Sequence, residues 1–377
     1  MPRLSHRLRS HRRVRSHAAR AVACAALLGV PACISTFPST SGGDSDVVFS
    51  SRTVDWPIRP AAHVDLWLHG FAVLQADTTA IPFFRRAYRD SIAAAKARLG
   101  VMTLLDANRE RLSGQFVSTP SLGNAQFLAL YFGSWDDLQR GARMFFDANG
   151  SAGSLSDRNA QRIVAAFATY FPTAAERDWL RLFLLSLEDE RTKFYTAYRN
   201  DQLQQRVAVQ SAIDSLWTSV VRDDVRRFAA NSGQRRGEVL LSLPLEAEGR
   251  TVSEGGQTVI AVGFPRREGD AQQAIYTLAH EIVSSVTPGV IEDHITPAES
   301  RDGVGAQYQG AALVRGGEAL LRRIAPDWVD GYARFYLEVA KVRFAGDPVV
   351  ALSQAYPLPD AMVAGLARRI DEVLGGF

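Results

Sequence analysis

His280 and Glu281 stand side by side in IYTLAHEIVSSVTPG, residues 275–289, and no other pair in the chain is better suited to chemistry. An imidazole offers a nitrogen lone pair to a metal or a proton, and a neighbouring carboxylate can polarise a bound water. A second histidine four residues on would share the same helical face and grip the same ion. That position holds Ser284, whose neutral hydroxyl is a poor zinc ligand. His294, in GVIEDHITP, could replace the missing donor, and Glu318, in LVRGGEALLRRI, is a carboxylate on a later helix. The plainer alternatives are local. Glu318 pairs with Arg322 one turn on, an exposed contact contributing ~0.3–0.5 kcal/mol, and His294 is a solvated loop residue. His63 and His69, six apart in AAHVDLWLHGF, cannot share one ion on a regular helix, so His69 is expected to pair with Asp65.

These residues must be placed by helices. Apolar periodicity predicts helices over about 61–74 and 82–99, the second stopped by Gly100. Ser134 opens another that ends at Asn149-Gly150, and Thr173 with Glu176 forms a capping box for WLRLFLLSLEDERTKFYTAYRN, a pattern running on towards residue 230. Two β-type runs, EVLLSLPL (238–245) and QTVIAVGF (257–264), follow and are expected to pair across AEGRTVSEGG. Asp270 should cap the His280 helix. Its stripe of Ile275, Leu278, Ala279, Ile282, Val283 and Val286 should face the core, with His280 on the polar side towards a cleft. The fold class is mainly α with a small β-hairpin or sheet, an α+β arrangement.

Charge narrows the partners. Residues 1–32 carry seven arginines and no acid; without them the 43 basic residues fall to 36 against 40 acidic ones. The body is mildly acidic, so no nucleic-acid partner is expected. The basic stretch precedes a ten-residue apolar run, AVACAALLGV, too short to span a bilayer, which needs ~20 residues. Val30-Pro31-Ala32-Cys33 closes it and resembles a lipoprotein signal, which implies acylation of Cys33 and a membrane tie through that lipid. Cys24 and Cys33 are the only cysteines, so any metal in the body must be held by His, Asp or Glu. Residues 1–32 are read as the signal, 33–56 as a flexible linker, 57–232 as a helical region and 233–377 as the region bearing the His-Glu helix. No G-x-S-x-G elbow, Walker loop or dinucleotide fingerprint is present. The acidic runs Glu188-Asp189-Glu190 and Glu292-Asp293 read as solvated faces.

Helices, a small sheet, a His-Glu helix and then a Glu-bearing helix resemble the plan of gluzincin-type zinc metallopeptidases. The likeness is to members whose helix reads H-E-x-x-H-S-x-x-N-P. His280, Glu281, Ser285 and Pro288 match that pattern, Ser284 replaces the second histidine and Thr287 the asparagine. The resemblance spans residues 235–325. It implies a zincin-like fold, Zn2+ as cofactor, His280 and Glu318 as ligands, Glu281 as general base and a peptide or protein as substrate or ligand. Three readings stay open: an exported envelope protein with a zincin-like fold and an impaired site, an active zinc peptidase with a rebuilt third ligand, and a helical envelope lipoprotein that binds or scaffolds without catalysis.

Overall fold

The structure is a computed structural model that describes residues 55–75, 83–119 and 121–375. The expected signal, Cys33 and most of the linker lie outside the described residues.

A four-stranded sheet forms the middle layer: β1 (Ile58–Pro60), β2 (Arg236–Ser242), β3 (Arg250–Glu254) and β4 (Gln257–Gly263), in the order β1-β2-β4-β3. The expected pairing of the two β-type runs as a hairpin is corrected here. β2 and β4 run parallel, with Val239 opposite Ile260, and the connector itself supplies the antiparallel edge strand β3. Gly255 and Gly256 both have positive φ and close a two-residue turn between β3 and β4, a geometry that residues bearing a Cβ adopt with strain. Side chains alternate across the sheet with period two. Leu240, Val252, Val259 and Ala261 join one core, and Val239, Leu241, Ile260 and Val262 the other. Helices cover both faces, which explains why the strands read as nearly continuous apolar runs.

The first face is covered by the N-terminal helices. α1 (Ala62–Leu74) is buried on every side and runs through their centre. α2 (Tyr88–Leu99) stops at Gly100 in the left-handed conformation, and α3 (Leu104–Ser118) starts at a Thr103–Asp106 capping box. After the short α4 (Ser121–Asn124) and a 3₁₀ segment over Ala125–Tyr131, Ser134 caps α5 (Trp135–Asp147), which ends at Asn149-Gly150 as its sequence predicts. Asp157 caps α6 (Arg158–Tyr170), and the Thr173–Glu176 box opens α7 (Ala174–Glu190). The long pattern beyond α7 is interrupted twice by π-helical turns, at Arg191–Tyr195 and Trp217–Val221, around α8 (Thr196–Gln204) and α9 (Val207–Leu216), before α10 (Arg222–Asn231); α9 and α10 have crossed to the second face, where Ile213, Val225 and Phe228 join its core.

The second face carries α11 (Gln272–Ile282), the His-Glu helix, directly after β4. A 3₁₀ turn over Val283–Ser285 leads to α12 (Thr287–His294) and the short α13 (Pro297–Arg301). α14 (Val304–Ile324), α15 (Val329–Val339), α16 (Pro348–Ala355) and α17 (Asp360–Leu374) complete the layer. Among the described residues no helix is long and apolar enough to cross a membrane. Two expectations for α11 are corrected. Asp270 does not cap it but binds Arg267, and Ala271 takes the cap position. Nor does α11 turn a polar side to an open cleft: Thr277 and His280 are as deeply buried as Leu278 and Ile282. β4 and the sheet lie on one side of α11, α14 and α15 on the other, so even the polar stripe is enclosed.

Candidate functional site

The His280 imidazole is 2% exposed and lies against the ring of Tyr336 from α15, centroids 5.5 Å apart and planes 23° from parallel. Its Nδ1 meets Glu281 Oε1 at 3.1 Å. Glu281 Oε1 also accepts the Gly249 amide at 2.9 Å, and Oε2 accepts the Thr251 hydroxyl at 2.7 Å. The carboxylate therefore ties α11 to the start of the edge strand β3. Tyr336 completes the tie from α15, its hydroxyl donating to the Ala247 carbonyl at 3.1 Å. Burial alone would raise the Glu281 carboxyl, but the hydrogen bond and charge of His280, with Thr251 and Arg250, outweigh it and hold it below the usual glutamate range.

Gly249 makes the approach feasible. A Cβ there would lie 2.5 Å from Glu281 Cγ and 2.6 Å from the Ala261 carbonyl oxygen. Gly317 plays the same role on α14, since a Cβ would fall onto the Tyr332 hydroxyl and 3.2 Å from His280 Cα. A Gly317→Ala variant should lose about 1–3 kcal/mol of unfolding free energy through overpacking, read by denaturant melts. An unchanged midpoint would mean that α11 and α14 do not cross so closely.

Glu248, next in sequence to Gly249, was not singled out by any motif. It is half-buried, and that burial, reinforced by Glu281 and opposed by His280 and Arg250, pushes its carboxyl up to about 7. The two glutamates of this group thus have opposite tendencies. Only its His280-Glu281 half was legible, because Glu248 enters from the strand connector.

The other predicted ligands stand elsewhere. Glu318 is buried on α14, but Arg315 Nε binds one of its oxygens at 2.9 Å and Arg322 Nη2 the other at 2.5 Å. These local partners, including the Arg322 pair, take the carboxylate that the resemblance assigned to zinc. Position 318 follows Gly317 by about 100° of helical turn, and its side chain lines a depression shared with Val363 and Leu366 of α17. His294 is neither a loop residue nor a ligand beside His280. It is the last residue of α12, its Nδ1 meets the Val290 carbonyl oxygen at 2.7 Å, and its ring packs over Gly365. Ser284 falls in the 3₁₀ turn rather than on α11. The tighter winding swings it roughly 40° further from His280 than a regular helix would.

A zinc ion needs three or four converging nitrogen or oxygen donors. Among the described residues no three His, Cys, Asp or Glu side chains come together in that way. The donor set therefore does not fit the ion that the resemblance implies, and no hydrolytic step is derived through it. Ser284→His alone should give a zinc Kd no tighter than ~10 μM in a competition titration, because position 284 is misdirected and Glu318 is engaged. Nanomolar zinc binding by that variant would contradict the 3₁₀ geometry.

A second polar cluster lies on the opposite side of the sheet. His69, expected to pair with Asp65, instead meets Glu190 Oε1 through Nε2 and the Tyr88 hydroxyl through Nδ1, each at 3.0 Å. Asp65 binds Arg199 at 2.7 Å and the Leu243 amide at 2.9 Å. Glu190, read as part of a solvated run, is fully buried, with Lys96 Nζ at 2.6 Å and the Thr103 hydroxyl on its second oxygen. Its position at the junction of α7 with a π turn explains the error. The extra residue in that turn brings Tyr195 against His69, centroids 4.2 Å apart. His69 is thus a satisfied core histidine; burial lowers its imidazole, and the bond to Glu190 opposes that shift.

No family model, curated protein or solved structure shows a match to this chain.

Proposed function

We propose that this chain is an exported envelope protein with a zincin-like fold whose His-Glu pair has become a structural clamp, and that it acts by binding a peptide or protein partner rather than by hydrolysis. The observation that carries the reading is the engagement of Glu281. Its oxygens accept from Gly249 and Thr251 and meet His280, so three of the carboxylate's roughly four lone-pair positions are already taken by the protein. A general base must reach the proton it takes. The export half of the proposal rests on residues 1–32 and the Cys33 box.

Incubating the mature protein with a mixed peptide library and micromolar zinc tests the first half. No cleavage above that of a His280→Ala variant is the expected result. Cleavage that vanishes in that variant would restore the peptidase reading. Mass spectrometry of the mature N-terminus tests the second half: an acylated Cys33 is expected, and an unmodified or earlier start would end the lipid anchor.

A further inference from the structure

The carboxyl ends of the parallel strands β2 and β4 carry charged groups that neither polar cluster uses. Arg85, just before α2, donates through Nε to the Leu243 carbonyl at 2.8 Å and through Nη2 to the Phe264 carbonyl. One guanidinium thus straps the ends of both strands. Arg206, the residue preceding α9, lies with its guanidinium carbon 6.0 Å from the centre of the Phe264 ring. Its Nη1 donates to the backbone and side-chain oxygens of Gln202, at 2.9 and 2.8 Å. Arg266 follows Phe264 by two residues and is exposed. Two guanidinium groups therefore meet at one phenylalanine, with the exposed Arg266 two residues along the chain and close enough to act on both by charge.

Their negative partners fall short. Glu246 attracts Arg85, but one of its oxygens accepts the Arg86 amide at 3.3 Å. Asp65 is committed to Arg199 and the Leu243 amide. Arg206 is 7% exposed, and its Nε–H has no acceptor at all. A buried donor without a partner is costly, and folded proteins rarely leave one. Burial, together with Arg266 and Arg206, lowers the Arg85 guanidinium to about 10. Burial and Arg266 also lower Arg206. The half-buried Tyr198 phenol neighbours all three arginines.

Ligands of open α/β sheets lodge beyond the carboxyl ends of the parallel strands, and guanidinium forks match the oxygens of a phosphoryl group. A dianion offsets two of the three charges, whereas a single carboxylate offsets one. We propose that Arg85, Arg206 and Arg266 form a binding site for a phosphate-type oxyanion, with the Arg206 Nε–H directed to it and Tyr198 at its rim. The exposed Arg266 and half-buried Arg85 leave the entrance on the solvent side. This site is independent of the His280 cluster.

Calorimetric titration of the mature chain with inorganic phosphate, at constant ionic strength against chloride, tests it. One saturable site is expected, displaced by sulfate and weakened at least tenfold by Arg206→Gln and by Arg266→Ala. The exposed Arg111→Ala, on α3, should leave the affinity unchanged. Phosphoethanolamine in the same titration separates an esterified phosphate from the free ion, and saturable binding of either supports the site. Should Arg206→Gln fail to fold, the surface variant Arg266→Ala decides. Absence of saturation at millimolar phosphate, or equal weakening by Arg266→Ala and Arg111→Ala, would overturn the proposal.

Discussion

Glu281→Ala lowers the unfolding free energy by about 3–4 kcal/mol in urea melts, since it leaves the Gly249 amide and the Thr251 hydroxyl without the charged acceptor they share. Glu281→Gln loses only ~1 kcal/mol, because the amide still accepts from Gly249 and the Thr251 hydroxyl can reverse to accept from its NH2 group. The pair of variants discriminates between roles. A general base would tolerate both changes in stability and lose turnover with either. A clamp loses stability with alanine and keeps most of it with glutamine. Hydrogen exchange gives a local reading of the same event: the Gly249 amide, protected in the native chain, exchanges fast in Glu281→Ala. Equal stability of native protein and Glu281→Ala would remove the clamp.

Glu190→Gln should destabilise by a similar or larger amount, about 3–5 kcal/mol, because it leaves the buried Lys96 ammonium with Asp106 as its remaining anion. The pH dependence has a definite sign. Burial by itself would raise the Glu190 carboxyl, but His69, Lys96 and their hydrogen bonds prevail and lower it from 4.5 to about 2. A depressed carboxyl contributes stability that is complete above its unfolded value and is lost as pH falls through the folded one. Native protein should therefore lose on the order of 3 kcal/mol between pH 5 and 2 through this group, an acid limb that Glu190→Gln lacks. Identical pH–stability curves for the two proteins would refute the buried ion pair.

Much of the helical frame was legible because its signals are local. The Thr173–Glu176 box, the Ser134 cap and the Asn149-Gly150 stop each act within a few residues, and each appears where its spacing predicts. The sheet was legible as β-type runs but not as a topology. Strand direction depends on the connector, whose Arg250–Glu254 segment is too short and polar to read as a strand until β4 pairs with it. The site was half legible for a related reason. His280 and Glu281 adjoin in sequence, but their enclosure comes from β3 on one side and Tyr336 on the other, contacts that periodicity cannot supply. Glu318 shows the converse. Its i+4 neighbour Arg322 was visible from the start, and local pairing prevailed over the distant ligand role. Glu190 was hidden among three acids, and only the π turn that follows it distinguishes its buried direction from the outward ones.

The His280-Glu281 pair either holds the fold together or holds an ion. A zinc competition titration of the chelator-free native chain against a chromophoric chelator decides it. The geometry predicts no site tighter than ~10 μM, and the same weak response from His280→Ala. One equivalent of zinc bound with nanomolar affinity, and lost in His280→Ala, would contradict it.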